Sequence, residues 1–311
     1  MFFLRGKRYK VVFLETYYPT LNKLLVDKSD SCTNSIGIIL KKAHFKDTLM
    51  DSSKKQVIAA ITDQKKDLSL PIRLRERTEY FTTLLFETLF DTEVKVALNI
   101  EILEHTFEEI LRLSCSKIAG RCKEVWDNYL ITFPDILNKL KLDAEAFLES
   151  DPAANSIEEI YLAYPGFYAI AVYRFAHELY KIGLPLVPRL MTEFAHRQTG
   201  TEIHAGAQIG NSFFIDHATG TIIGETVIIK DHVKIYQGVT LGAKSVSRKL
   251  KGSKRHPTVE SHVIIYANAT ILGGDTVVGK NSIIGGNVWL TKSVPENSII
   301  TNTKQVQVKT R

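Results

Sequence analysis

Residues 201–241 read TEIHAGAQIGNSFFIDHATGTIIGETVIIKDHVKIYQGVTL, and their spacing decides the fold. Aliphatic residues recur at every sixth position: Ile203, Ile209, Ile215, then Ile223, Ile229, Ile235, Leu241. After an interruption the series resumes as Val259, Ile265, Ile271, then Val278, Ile284, Leu290. The spacing slips by two between Ile215 and Ile223 and by one between Ile271 and Val278. Period six is neither the 3.6 of a helix nor the 2 of an alternating strand. It suits a chain wound as a triangular prism, each short face donating one aliphatic residue inward. Successive coils then stack at about the 4.8 Å strand spacing, and each coil buries its anchors against its neighbours.

Outward from this stretch the composition changes. Of the 18 glycines, 5 lie before residue 200 and 13 from Gly200 onward. From Thr201 to the end there are 27 Ile plus Val but only four Leu. The preceding part is rich in Leu, Glu, Lys and aromatics. Unbranched residues favour helices and β-branched ones favour strands, so a boundary is expected near residue 200. Helical spacing runs through Glu79 to Lys117 (Leu84, Leu85, Leu89, Val94, Leu98, Ile102, Phe107, Leu111), as one helix or two. Val125 to Leu148 repeats the pattern with Pro134 as a break, Phe167 to Lys181 stops at Gly183, and Pro188 to Gln198 makes one more helix. The expected organisation is an N-terminal extension over 1–70, a helical domain over 71–199, a coil domain over 200–300 with an inserted loop at 242–256, and a C-terminal tail over 301–311.

The 311 residues carry 40 Lys plus Arg against 34 Asp plus Glu, a net charge of +6, with 44% hydrophobic residues. That is the balance of an ordinary globular chain. It argues against disorder and does not demand a nucleic acid. No apolar run reaches the roughly 18–20 residues of a membrane span, and Met1 to Leu14 lacks the form of a signal peptide. The three cysteines, Cys32, Cys115 and Cys122, are too few for a disulfide framework or a zinc site. The expected compartment is the cytoplasm, without nucleic acid or membrane as partner.

The repeat breaks twice, and insertions in solenoids often carry function. Residues 242–256, GAKSVSRKLKGSKRH, hold Lys244, Arg248, Lys249, Lys251, Lys254 and Arg255 and no acid. Such a loop attracts a polyanion such as a nucleotide phosphate, or is simply solvated. The other break is Phe214-Ile215-Asp216-His217-Ala218-Thr219-Gly220. An imidazole there, preceded by an acid, is a candidate proton acceptor near neutral pH. Glu202 lies 15 residues earlier, near one turn of an 18-residue coil.

The stretches Glu202-Ile203-His204, Asp216-His217-Ala218-Thr219-Gly220, Gly224-Glu225-Thr226, Gly238-Val239-Thr240-Leu241-Gly242 and Arg255-His256-Pro257 together resemble serine O-acetyltransferase. Asp151-Pro152-Ala153 and the Tyr-Pro-Gly-Phe-Tyr-Ala-Ile-Ala-Val-Tyr-Arg stretch at 164–174 match as well, so the resemblance covers Asp151 to Pro295. It implies an α + β chain: a helical N-terminal domain, then a left-handed parallel β-helix of hexapeptide repeats, as a homotrimer or as a hexamer of paired trimers. The implied reaction carries acetyl from acetyl-CoA to the hydroxyl of L-serine, with no permanently bound cofactor and no metal. By resemblance, His217 is the general base. Glu202 stands where the family usually has an Asp orienting that base. Asp151 and Asp216 hold the substrate ammonium, and Arg255 and His256 meet its carboxylate, with His256 also near the tetrahedral intermediate. Gly242, Ala243 and Ala267 match the CoA wall, while Tyr266 stands where glycine is expected. Many members end in isoleucine and dock into O-acetylserine sulfhydrylase; Val-Lys-Thr-Arg311 argues against that complex here. Rival readings are another hexapeptide acetyltransferase, a histidine-metal prism drawing on His204, His217, His232, His256 and His262, and a non-catalytic scaffold.

Overall fold

A computed structural model describes residues 3–4, 7–8, 52–114, 121–245 and 252–302. The chain forms two compact units, Met1–Ser69 and Leu70–Arg311. In the first unit, strands β1 (Phe3–Leu4) and β2 (Lys7–Arg8) pair antiparallel, and helix α1 spans Ser52–Lys65. This helix leaves Val57, Ile58 and Ile61 exposed. Its apolar stripe is this short, which is why the spacing does not announce it.

The second unit opens with α2 (Arg73–Phe90) and α3 (Val96–Ser114). They answer to the expected stretch Glu79 to Lys117, split where the Asp91 carboxylate accepts the Glu93 N–H at 2.8 Å. Val94 therefore lies in a turn, not on a helical stripe. Cys115 to Lys117 fall outside the described residues, as does Cys32. Helices α4 (Cys122–Leu130) and α5 (Phe133–Ser150) divide just before Pro134. That proline sits in the first turn of α5, where a missing N–H costs nothing. After α6 (Ile157–Ala163), Pro165 does the same for α7 (Pro165–Lys181), which starts two residues earlier than Phe167. Helix α8 (Val187–Thr199) ends on Gly200, whose φ of 70° closes it in the left-handed region.

From Glu202 onward the chain visits three parallel sheets in rotation. One sheet carries β3 (Glu202–Ile203), β6 (Ile222–Ile223), β9 (Thr240–Gly242), β12 (Thr270–Leu272) and β15 (Trp289–Leu290). The second carries β4 (Gln208–Ile209), β7 (Ile228–Ile229), β10 (Thr258–Val259) and β13 (Val277–Val278). The third carries β5 (Phe214–Ile215), β8 (Lys234–Ile235), β11 (Ile264–Ile265), β14 (Ile283–Ile284) and β16 (Ile299–Ile300). Each strand pairs with the strand of the next coil, as in Ile203↔Ile223, Ile209↔Ile229 and Ile215↔Ile235. This is the arrangement of a parallel β-helix. Of the thirteen period-six positions, all but Ile209 and Leu290 are buried. The two-residue slip makes the first coil 20 residues long, because Glu202 pairs with Ile222.

Helix α7 is bolted to the first coil by polar contacts. Arg174 donates to Asp143 of α5 through Nε and, at 2.7 Å, through Nη2. The same Nη2 donates to the Gly210 carbonyl at 2.8 Å, and Asp143 also accepts the Phe213 N–H at 2.9 Å. Both side chains are buried. Burial works against the Arg174 charge, yet the Asp143 carboxylate holds the guanidinium above its ordinary value. Tyr173 adds a bond to the Ala207 carbonyl at 2.7 Å. These contacts decide where the helices stand over the coil, and therefore where Asp151 lies.

Candidate active site

Two polar groups occupy opposite edges of the β3-β6-β9-β12-β15 sheet. The first lies where β5 turns into β6. Five residues would separate Ile215 from an anchor six positions on; the slip makes it seven and lengthens this corner. His217 and Ala218 both take left-handed backbone conformations there, with φ of 55° and 63°. Single left-handed residues recur at other coil corners, such as Ser212, His232, His262 and Asn268, so this is the turn geometry of the prism; here two come in succession. They turn the imidazole outward: the His217 side chain is 71% exposed, and its Nε2 lies 3.6 Å from Asp216 Oδ2. Asp151, at the end of α5, accepts the Ala153 N–H at 2.9 Å and the Tyr164 hydroxyl at 2.7 Å. The Ala153 N–H first, then the Tyr164 hydroxyl and the His217 ring, hold the Asp151 carboxyl below its ordinary value. The bond to Asp151 pushes the Tyr164 phenol up to about 12, so it remains a donor. Tyr236 and Tyr266 stack at 5.0 Å beside this corner. Burial, then Tyr266, Asp216 and Asp151, raise the Tyr236 phenol. The structure thus brings Asp151 to the adjacent pair Asp216 and His217, 65 residues further along the sequence.

The second group lies where β6 turns into β7, against the end of the inserted loop. His256 is only 8% exposed. Its Nδ1 accepts the Thr226 N–H at 3.1 Å and lies 2.8 Å from Thr226 Oγ1. Burial first, then the neighbouring Arg255, pushes the ring down to about 4. The ring is therefore neutral at pH 7, and with Nδ1 accepting, the proton sits on Nε2, a hydrogen-bond donor. The ring rests on Gly224, where a β-carbon would fall 2.3 Å from it. Arg255 Nη2 bonds the Glu225 carboxylate, which also accepts the Tyr180 hydroxyl at 3.2 Å. Arg255 Nη1 is buried with no hydrogen-bond partner among the described residues. A spare guanidinium N–H and, on the next residue in sequence, a neutral imidazole N–H are donors of the kind that suit a carboxylate or an oxyanion.

Other sequence expectations fall differently. Glu202 pairs with Arg189 of α8, accepting from Nη2 at 3.1 Å, while the acid at His217 is Asp216. The longer Glu side chain reaches the helix, and the 20-residue coil puts Ile222, not His217, beside it on the next rung. Gly242 and Ala243 lie at the edge that carries His256. Ala267 lies on the His217 edge, next to Tyr266, so the expected CoA wall is divided between the two edges within one chain. Of the loop cations, Lys244 pairs with Asp275 at 2.8 Å, Lys254 donates to the His256 and Pro257 carbonyls, and Arg255 is held as described. Arg248, Lys249 and Lys251 lie outside the described residues. His232 and His262 stack on one another at 4.8 Å on a different corner. Among the described residues no group of three or more His, Cys, Asp or Glu is placed to hold a metal ion, and no helix is long and apolar enough to cross a membrane. Sequence reasoning assigned no role to Tyr164, Glu225 or Thr226. Their motifs were visible, but only the packing shows which side chains they hold.

The fold and the two polar edges define a class: a helical N-terminal region leading into a parallel β-helix, with a histidine at each of two prism edges. Known proteins resemble this chain in sequence and in fold. A plasmid-borne serine acetyltransferase of Synechococcus elongatus is 47% identical over 212 residues, 67% of this chain and 65% of that relative. The serine acetyltransferase of Mycobacterium tuberculosis is 44% identical over 165 residues, 53% of this chain and 70% of that relative. Among solved structures, Entamoeba histolytica serine acetyltransferase isoform 3 in complex with cysteine matches with a TM-score of 0.67 and 31% identity, over 74% of this chain and 84% of that one. Brucella abortus serine acetyltransferase in complex with coenzyme A matches with a TM-score of 0.55 and 30% identity, over 73% of this chain and 80% of that one. The chain belongs to the serine acetyltransferase family. It spans 53% to 65% of the length of the first curated relatives it matches. No family model matches it.

Proposed function

We propose that this protein transfers the acetyl group of acetyl-CoA to the hydroxyl of L-serine, giving O-acetyl-L-serine and CoA. The observation that carries the reading is the meeting of Asp151 and Asp216 with the exposed His217 at one corner. Two carboxylates beside an imidazole suit a substrate whose ammonium and hydroxyl lie a few bonds apart. The thioester is already activated, so the hydroxyl is the partner that needs help. His217 takes its proton as the oxygen attacks the thioester carbon, and returns a proton to the leaving thiolate. No cysteine lies in the coil region, so an acyl-cysteine intermediate there is excluded. Arg255 Nη1 and His256 Nε2 receive the substrate carboxylate, and His256 then lies near the tetrahedral oxyanion. Glu202, held by Arg189, contributes charge at the start of the first coil and not the direct orienting contact.

His217 and His256 sit on opposite edges of one sheet, so a single chain does not close a site around serine. We infer that homotrimers bring the His217 edge of one copy to the Arg255-His256 edge of the next, and that the trimers pair into hexamers. The pantetheine then runs between prisms past Ala267 of one copy and Gly242 and Ala243 of the other, with acetyl-CoA a co-substrate and no permanent cofactor. In this reading the coils are left-handed hexapeptide repeats over 200–300, the helical domain is 71–199, and the protein works in the cytoplasm. L-Cysteine, bound in the Entamoeba histolytica relative's structure, competes for the serine site.

Release of free thiol from acetyl-CoA tests the reading, with L-serine, homoserine and a sugar as acceptors, each with and without L-cysteine. Serine is expected to be preferred and cysteine to inhibit. Thiol release that favours the sugar, or that ignores all three acceptors, overturns it.

A further inference from the structure

With the helices seated on the coil, a short segment at the start of another helix holds the Asp151 side chain beside His217. Tyr164 precedes Pro165, and a residue before proline is pushed out of the helical region. It lies at φ −92° and ψ 108° as the cap of α7. From this extended position its ring packs edge-on against Phe147 of α5 at 5.9 Å, and Phe147 packs against Phe214 of β5 at 4.8 Å. The ring direction is thereby set, and the hydroxyl meets Asp151 Oδ2 at 2.7 Å. The other oxygen, Oδ1, is taken by the Ala153 N–H at 2.9 Å. Two residues further on, Gly166 is buried against the backbone of β5. A β-carbon at that position would fall 2.4 Å from the Ile215 carbonyl oxygen and 3.3 Å from Phe147 Cζ. Ile215 is the residue immediately before Asp216 and His217. The glycine lets α7 press directly on the strand that carries the acid–imidazole pair.

We propose that Tyr164-Pro165-Gly166 is a positioning unit: Gly166 seats α7 on β5, Pro165 turns Tyr164 out of the helix, and the Tyr164 hydroxyl aims the Asp151 carboxylate at the substrate ammonium beside Asp216 and His217. Tyr164 touches no reacting atom in this scheme. It acts through Asp151, and its effect falls on the amino end of the acceptor, not on proton transfer at the hydroxyl. The inference rests on the serine reading of the site, since an acceptor without an ammonium has no use for an aimed Asp151.

The test is steady-state kinetics and calorimetric serine binding on the full-length protein, as wild type, Tyr164→Phe, Asp151→Asn and the double variant. Tyr164→Phe keeps the ring and its packing and removes only the hydroxyl. A hydrogen bond to a charged group is lost, so the KM and Kd for L-serine are expected to rise about tenfold. The kcat is expected to stay within about twofold, because the base is untouched, and the KM for acetyl-CoA to stay unchanged. In the Asp151→Asn background, removing the Tyr164 hydroxyl is expected to add nothing further, since the two act as one unit. Tyr164→Phe with wild-type KM and Kd overturns the inference, as does an independent penalty in the double variant. If the wild type itself neither binds nor acetylates serine, the serine reading falls, and this inference with it. If the wild type does both and the variants behave alike, only the inference falls.

Discussion

The two edges of the β3-β6-β9-β12-β15 sheet each present a histidine, and the two are opposites. His217 stands in solvent on a left-handed turn, while His256 is buried, neutral and locked by Thr226. An exposed ring next to a carboxylate can gain and lose a proton as a reaction proceeds. A ring held neutral to about pH 4 cannot serve as a base that cycles near neutrality, but it is a fixed donor. The lesson is that residue type does not assign the role; solvation and the hydrogen-bond partner of Nδ1 do.

The largest effect is expected at the open edge. His217→Ala is expected to lower kcat by roughly 10²–10⁴ while leaving the melting temperature unchanged, because the ring is largely exposed. Unchanged turnover, or a melt lowered by many degrees, contradicts the contrast. A second variant separates the edges from their frame. Arg174→Met strands Asp143 as an unpaired buried charge, at a cost of about 3–5 kcal/mol, and is expected to harm both edges alike. Denaturant unfolding measures it; a loss under 1 kcal/mol would show that the bolt through α7 matters little.

At the closed edge, Gly224→Ala places a methyl where the His256 ring lies. Forced repacking costs about 1–3 kcal/mol, and kcat/KM for serine is expected to fall with it. A variant with wild-type melting and wild-type kcat/KM would mean the cradle is loose. The smallest effect is in the pH dependence of stability. The folded His256 pKa of about 4 lies below the ordinary value near 6.5. Unfolded chains therefore bind the proton first as pH falls. The contribution is fully present above about pH 6.5 and is lost between there and about pH 4. Burial lowers His177 and His204 in the same sense. Melting curves from pH 7 to 4.5 are expected to fall more steeply for wild type than for His256→Asn, and parallel curves refute it.

Much of this was legible in the residues. Ile203, Ile209 and Ile215 announce short faces at period six, and the two-residue slip before Ile223 marks the corner that carries His217. Pro134 and Pro165 mark helix starts, since a ring without an N–H is best tolerated in a first turn. Glu202 bonds Arg189, a contact its spacing does not announce, since a count along an ideal 18-residue coil does not hold once the corner lengthens to make 20. Helix α1 does not stand out because its apolar face is only Val57, Ile58 and Ile61 long.

By itself, the order of residues determined the winding, the chemistry available at each break, and the family to which the chain belongs. Only tertiary structure decided which side chains meet: Asp151 with His217, Thr226 with His256, Glu202 with Arg189. Periodicity is a local property that neighbours along the chain enforce through burial. Contacts between distant residues depend on where a helix such as α7 seats against a coil, and that is set by a buried ion pair and a single glycine whose effects no spacing rule contains.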